Sequence, residues 1–327
     1  MAQTARLPSR SLSDFRGDYG ALSALMERSW GENAESSLHY TSAFLRSAFE
    51  YPGTRVDLAP TMYEGERPVA FVAGFPRLAR YEGRDLRLLV GTFLTSAPEF
   101  KGTTIGPAMW TEFLKRARAA GYDGAINFCA EGSPSNGVVT ACGRRLGLST
   151  QKVFTISYLL RLLRPVAAAP ADQPQDSDVH LFVELTRERP SRAALARLWT
   201  HEEAEWQCHK REGAICVSLR ASGRRGLLTG STVEVLGTPP VRTLLLEDLL
   251  WDDLDADERV HLLDRTLAVA AGQGVQIASV PLMGYADVTP LLTRGFRKSR
   301  RLMHTYLTVW NGPEPATPLP NLYMDVL

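Results

Sequence analysis

The chain has 327 residues, a formal net charge of +1, 44% hydrophobic residues and 22% charged residues. That length accommodates two ordinary domains, and that balance belongs to a globular chain able to bury full cores. A near-neutral charge supplies no overall field selecting nucleic acid or an acidic membrane surface, and no apolar run has the length of a membrane span. Cys129, Cys142, Cys208 and Cys216 follow no framework, and the leader MAQTARLPSRSLSDF lacks an apolar signal core, so a cytoplasmic protein with reduced thiols is expected.

After this polar leader, Tyr19–Trp30 places Leu22, Leu25, Met26 and Trp30 on one helical face. Leu38–Phe49 repeats the pattern with Leu38, Phe44, Leu45, Ala48 and Phe49, predicting a second helix. Strand-like runs follow at Pro60–Glu64, Val69–Phe75 and Arg87–Leu94, punctuated by Gly65-Glu66 and Gly83. The stretch Leu86–Leu148 then reads as strand, glycine-containing loop (KGTTIGPAMW), helix, strand (AINFCAE) and helix. A polar loop that opens a helix straight after a strand presents unpaired backbone N–H groups and the positive end of the helix dipole. Such a turn is an anion site, and the anion is often a phosphate.

A further strand-like run, Lys152–Leu163, leads into PVAAAPADQPQDSD (Pro165–Asp178), whose Pro, Ala and acid content without periodicity reads as a linker. The expected domains are therefore 1–164 and 179–327, joined by 165–178. In the second, Ala193–Trp206 reads as helix, and Ile215–Leu219, Val233–Leu236 and Arg242–Leu250 as strands. Asp257–Ala271 reads as helix, Val275–Val280 as strand, and Val288–Leu292 as the start of a helix. GLSTQKVFTISYLLRLL (Gly147–Leu163) matches GFRKSRRLMHTYLTVW (Gly295–Trp310), and ARAAGYDGAINF matches AVAAGQGVQIAS. Matched order at a domain-sized period argues for two copies of one fold.

The run from Leu94 through Pro98, Lys101 and Gly102 to Gly106, followed by Asn136 and Arg145-Leu146-Gly147-Leu148, resembles the GNAT acyltransferase superfamily. The resemblance covers nearly all of the first domain in element order and the second in outline. It implies an α+β fold, two tandem domains each with a mixed, mostly antiparallel sheet flanked by helices. It also implies an acyl thioester cosubstrate, acyl-CoA or acetyl-CoA, or a phosphopantetheine carrier protein in its place. The diphosphate would rest on the amides of Lys101, Gly102, Thr103, Thr104, Ile105 and Gly106. The pantetheine would pair with the strand edge at Leu94, Thr95 and Ser96, and Asn136 would hold its end. The oxyanion donor would be a backbone N–H near Phe93 or Leu94, and His39 and Tyr40, on the second helix, would line the acceptor cleft.

This chain departs from the family at four places. The middle glycine of the loop is Thr104, the leading Arg/Gln is Lys101, and the tyrosine commonly used as general acid is replaced by Gly143. The second copy's loop, Trp251–Glu258, has no glycine and five acidic groups, which would repel a diphosphate. A second domain without nucleotide binding is expected.

Aminolysis of a thioester needs a neutral amine, oxyanion donors and a proton for the thiolate. Glu131, at the end of its strand, is a candidate base or a solvated carboxylate; Asn127 is a candidate polar group of the site or a satisfied buried amide. Cys129 and Cys142 read as core thiols. The cluster HEEAEWQCH (His201–His209) matches no zinc spacing, so no metal is expected. The basic runs Arg220–Arg225 and Arg297–Arg301 are solvated ends, or docking points for an acyl carrier protein or a tRNA. The expected activity is direct transfer of an acyl group from acyl-CoA, or from an acyl carrier protein, to a small amine. The rival readings are an aminoacyl-tRNA-dependent transferase, a carrier-linked decarboxylase or loading enzyme, and a non-catalytic acyl-CoA-binding protein.

Overall fold

The structure, a computed structural model, describes residues 10–31, 38–164, 176–236 and 239–326. The first half contains β1 (Arg10–Asp14), α1 (Tyr19–Trp30), β2 (Leu38–His39), α2 (Ser42–Phe49), β3 (Pro60–Glu64), β4 (Arg67–Tyr81) and β5 (Arg84–Ser96). It continues with α3 (Ile105–Ala119), β6 (Gly124–Ala130), α4 (Ser135–Arg145) and β7 (Ser149–Leu162). The second half contains α5 (Asp176–Thr186), β8 (Leu195–Leu198), α6 (His201–Glu205), β9 (Ala214–Ala221), β10 (Arg224–Val235) and β11 (Val241–Leu250). It ends with α7 (Ala256–Gly272), β12 (Ile277–Leu282), α8 (Thr289–Thr293), β13 (Arg297–Val309) and β14 (Leu322–Tyr323).

Among the described residues, fourteen strands join one mixed, mostly antiparallel sheet ordered β1-β3-β4-β5-β6-β13-β7-β12-β11-β10-β2; β9 lies on β10, and β8 on β4 and β14. The two segments whose sequences echo each other, β7 and β13, are direct antiparallel neighbours at its centre, with Met303 opposite Ile156 and His304 opposite Thr155. About this pair the order is mirrored: β6, parallel to β5, answers β12, parallel to β11. Each half therefore hands its last long strand across: β13 pairs with β6, and β7 with β12. On one face α3 and α4 pack Trp110, Phe113 and Val139 over β4 to β6, and on the other α1 and α2 bury Leu22, Leu25 and Leu45 with Phe71 and Phe75. No helix among the described residues is long and apolar enough to cross a membrane.

Several local readings are corrected. Arg10–Asp14, within the polar leader, pairs with β3 as a strand. His39 and Tyr40 do not sit on the second helix: His39 pairs with Glu234 of β10, and α2 starts only after Thr41, whose Oγ1 accepts the Phe44 N–H at 3.1 Å. An extended N-cap of this kind stops the helix from reaching further back. Ala193–Trp206 is not one helix; a Thr200/Glu203 capping box starts α6, and Leu195–Leu198 remains a strand paired with β4. Of the sequence read as a linker, 165–175 lies outside the described residues, and Asp176–Asp178 open α5.

The C-terminal segment is fixed by a buried ion cluster. Asp325 accepts from Arg77 Nε at 2.9 Å and faces Arg197 Nη1, all three side chains being buried. Burial alone would push this carboxyl up, but the guanidiniums of Arg197 and Arg77 outweigh it and hold it at about 2. The folded value lies below the ordinary carboxylate value of about 3.9, so the stabilisation is complete above roughly pH 4 and is lost as pH falls through about 2. Asp325→Asn leaves two buried cations without their anion and is expected to cost about 3–5 kcal/mol at neutral pH. Urea unfolding should show that deficit shrinking between about pH 4 and pH 2; an equal deficit at every pH contradicts the assignment.

Candidate functional site

The parallel pair β5 and β6 is joined only from Leu88–Gly91 to Gly124–Asn127. Beyond that rung β5 runs on to Ser96 and β6 to Ala130 without pairing to each other, so the strands open into a V. Gly91 stands at its apex because nothing larger fits: a Cβ there would meet Trp110 at 2.5 Å and Asn127 Nδ2 at 2.6 Å. Asn127 Nδ2 donates to the Gly91 carbonyl at 2.8 Å. Its Oδ1, in a side chain of a residue only 2% exposed, has no partner among the described residues, nor has Thr95 Oγ1. Just past the apex, Phe93 and Leu94 oppose Val72 alone, a β-bulge between the pairs Ala73–Thr92 and Phe71–Thr95. Phe93 adopts φ +60°. A bulky residue held there stores about 1–3 kcal/mol of strain, and such strain gathers where a backbone group must be aimed.

At the wide end of the V lies the loop 101–104. Gly102 has φ +75°, the left-handed conformation that favours glycine, whereas Thr104 precedes α3 at φ −79°, ψ 0°, which any residue adopts. The threonine is therefore accommodated without strain. Thr103 Oγ1 donates to the Phe100 carbonyl at 2.7 Å and accepts the Ile105 N–H at 3.3 Å. Thr104 makes no side-chain cap, and while the N–H groups of Lys101, Thr103 and Ile105 are held by Pro98, Phe100 and Thr103, those of Gly102, Thr104 and Gly106 have no partner among the described residues. A Cβ at Gly102 or Gly106 would meet nothing within 4 Å, so the space beside both residues is open. Lys101 is exposed on its rim.

On the α4 face of β6, Asn136 Nδ2 donates to the carbonyls of Ala130 and Ser133, both at 2.8 Å, and Tyr306 of β13 donates its hydroxyl to Asn136 Oδ1 at 3.0 Å. Oδ1 is thus the one atom of this amide that a pantetheine N–H could still reach. Glu131 is exposed, with a side-chain exposure of 57%, and its Oε1 lies 3.9 Å from His304 Nε2. The other ring nitrogen of His304 is 3.2 Å from Thr155 Oγ1. Burial pushes the Cys129 thiol up to about 12, so it is protonated at neutral pH and no nucleophile. Cys142 is buried, its sulfur 3.4 Å from the Pro107 carbonyl. Among the described residues no three His, Cys, Asp or Glu side chains converge as a metal site would, and Glu205 pairs with Lys210 at 2.8 Å.

On the opposite face the Phe93 ring packs against Tyr40 at 5.3 Å and Phe75 at 5.9 Å between ring centroids. Burial raises the Tyr40 phenol, partly countered by Arg301, and His39 Nδ1 is 3.1 Å from Glu234. Beneath Phe93 a narrow cavity of about 20 Å³, room for about one water molecule, is lined by Phe44, Ala48, Phe75 and Trp206, with Tyr51, Arg77 and Arg211 at its polar end. Sequence reasoning missed Tyr306, His304 and Trp206. All three come from the second half, and only the exchange of β7 and β13 reveals the first two.

The second half repeats this design and seals it. β11 and β12 pair only from Thr243–Leu245 to Ile277–Ser279 and then part, and β11 bulges at Glu247. Into the gap the chain inserts Tyr285, whose hydroxyl accepts the Leu249 N–H at 3.1 Å and donates to the Glu247 carbonyl at 2.8 Å. Beside it the buried Arg189 reaches the Leu249 carbonyl at 3.4 Å and Asp252 at 3.0 Å. Asp255 and Glu258 form a capping box on α7, occupying first-turn amides that α3 leaves open. Arg259 covers the carbonyls of Trp251, Asp252 and Leu254 at 2.8 to 3.0 Å. Tyr285→Phe leaves two buried backbone groups unsatisfied and is expected to lower stability by about 1–3 kcal/mol. An unchanged denaturant midpoint contradicts this account of the seal.

No family profile matches the chain, and no curated protein matches it either. Solved structures do. N-myristoyltransferase of Saccharomyces cerevisiae, determined with bound myristoyl-CoA and inhibitors, is 16% identical, with a TM-score of 0.74 over 95% of this chain and 82% of that one. A probable N-acyltransferase from Enterococcus faecalis is 11% identical, with a TM-score of 0.51 over 92% and 73% of the two chains. A GCN5-related N-acetyltransferase from Kribbella flavida is 17% identical, with a TM-score of 0.50 over 95% and 74%. The chain has the GNAT-like fold of these proteins.

Proposed function

We propose that the protein is an N-acyltransferase that moves an acyl group from acyl-CoA to a small amine by direct transfer. The observation that carries this reading is the open V between β5 and β6, with the strained Phe93 bulge near its apex and the uncapped α3 at its mouth. The CoA diphosphate lies on the loop from Lys101 to Gly106, and the pantetheine pairs with Leu94, Thr95 and Ser96 as a strand would. An N–H of Phe93 or Leu94 stabilises the tetrahedral oxyanion, a contribution of about 10²–10³-fold in comparable sites. Asn127 Oδ1 accepts an N–H of the bound substrates. Glu131, beside His304, takes the proton that the amine sheds. The amine substrate approaches from the Phe93 face, near His39 and Tyr40. With the Cys129 thiol protonated and both nearby thiols buried, transfer through an acyl-cysteine is not favoured.

In this reading residues 1–164 and 179–327 are two copies of one unit joined by 165–178, and only the first binds a thioester. The neighbours' myristoyl-CoA is a free thioester, which supports acyl-CoA as donor rather than a carrier protein or a tRNA. Isothermal titration with acetyl-CoA and myristoyl-CoA is expected to find one site per chain. Lys101→Glu and Gly102→Asp should abolish binding while leaving the protein folded, because each places a negative charge in the diphosphate cradle. Two equivalent sites, or unimpaired binding by both variants, contradict the assignment.

A further inference from the structure

Breaking a thioester places a negative charge on sulfur, and a positioned acid that protonates it lowers the barrier. On the face of β6 that α4 covers, three groups carried by β6 and β13 hold a transferable proton among the described residues, the Cys142 thiol of α4 being turned to the Pro107 carbonyl. They are the deeply buried Cys129 thiol, the His304 ring beside Glu131, and the Tyr306 hydroxyl. We propose that Tyr306 is the acid that protonates the departing CoA sulfur, and that Asn136 is the residue that positions it. This inference rests on the acyl-transfer reading above.

Tyr306 sits directly across from Asn127, the residue that holds Gly91 at the last paired rung of the V. Asn136 is itself fixed on the carbonyls of Ala130 and Ser133, so the 3.0 Å bond from Tyr306 draws the phenol toward the open end of β6. That is where the thioester must lie if its oxygen is to reach the Phe93 bulge. The position on α4 from which a tyrosine could have approached is closed. A Cβ at Gly143 would stand 2.1 Å from Thr150 Oγ1 of β7. The strand exchange that fills this space with β7 also brings β13, and Tyr306 with it, to β6. Burial and the neighbouring Cys129 raise the phenol, so it stays protonated at neutral pH and available to donate.

The step balances. The amine lone pair forms the C–N bond, and the tetrahedral oxyanion collapses with the C–S electron pair leaving on sulfur. The phenolic proton passes to that sulfur to give the CoA thiol. Glu131 takes the proton shed by the amine nitrogen and passes it to solvent, from which the phenolate regains one.

The test measures thiol release from acetyl-CoA and myristoyl-CoA with hydroxylamine as acceptor, in the parent, Tyr306→Phe, Asn136→Ala and His304→Gln. Calorimetric acyl-CoA affinity and melting temperature are measured on each protein. In Tyr306→Phe, kcat is expected to fall by about 10²-fold or more, with KM, acyl-CoA affinity and melting temperature close to the parent's. Asn136→Ala should lose less in kcat, and, because its Oδ1 also faces the pantetheine, should weaken acyl-CoA affinity as Tyr306→Phe does not. The assignment is overturned if Tyr306→Phe keeps a parental kcat, or if it loses affinity together with activity as a packing residue would. It is also overturned if the loss in kcat appears in His304→Gln instead. A parent that binds no acyl-CoA sinks the acyl-transfer reading itself, which the affinity measurement reports separately from turnover.

Discussion

Two parallel strands that part company expose a ladder of N–H and C=O groups, and a buried ladder must find partners. This chain meets that requirement in two opposite ways within one sheet. Between β11 and β12 the partners are its own: the Tyr285 hydroxyl on Leu249 and Glu247, and Arg189 beside it. Between β5 and β6 the described side chains hold only the strand ends, Ser29 Oγ on the Ser96 carbonyl and Asn136 Nδ2 on the Ala130 carbonyl, both at 2.8 Å, and Asn127 Oδ1 and Thr95 Oγ1 are left without partners among the described residues. The helix that follows each gap behaves in the same way, α7 being boxed by Asp255 and Glu258 while α3 has no side-chain cap. A ligand-shaped requirement in one half is a self-satisfied one in the other.

The mirrored sheet also explains why a sealed half would be kept. β13 forms the far edge of β6, so Tyr306 and His304 reach the first V only because the second half is present. Trp206 and Arg211, also from the second half, wall the pocket beneath Phe93. The cluster of Arg77, Arg197 and Asp325 ties β4, β8 and the C-terminal segment across the same boundary. Such a shared core makes independent folding of either half a poor expectation, because each would expose the edge that its partner's strand covers.

Local chemistry was legible in the sequence where it sufficed to decide the structure. The apolar spacing of Tyr19–Trp30 and the run Pro60–Glu64 end where α1 and β3 end. The KGTTIG loop, the strand-end position of Glu131 and the acidic character of Trp251–Glu258 were equally visible. A capping residue overrode periodicity at Leu38–Thr41, where Thr41 starts the helix late, and again at Ala193–Trp206, where Thr200 does so. The pairing of β7 with β13 left no local trace, since swapped and unswapped repeats give the same sequence echo. Asn136 and Tyr306 are 170 residues apart, and no spacing rule joins them. The seal was half legible: the acidic loop announced a charge that repels anions, but Tyr285 and Arg189 lie on either side of it in the chain and meet only in the fold.

The most direct test of this asymmetry is a crystal structure with a non-hydrolysable myristoyl-CoA analogue. The account predicts the diphosphate on the amides of Gly102 to Gly106, the pantetheine along β5 inside the first V, and Tyr285 still seated on Leu249. A ligand lodged between β11 and β12 with Tyr285 displaced, or bound outside both gaps, contradicts it.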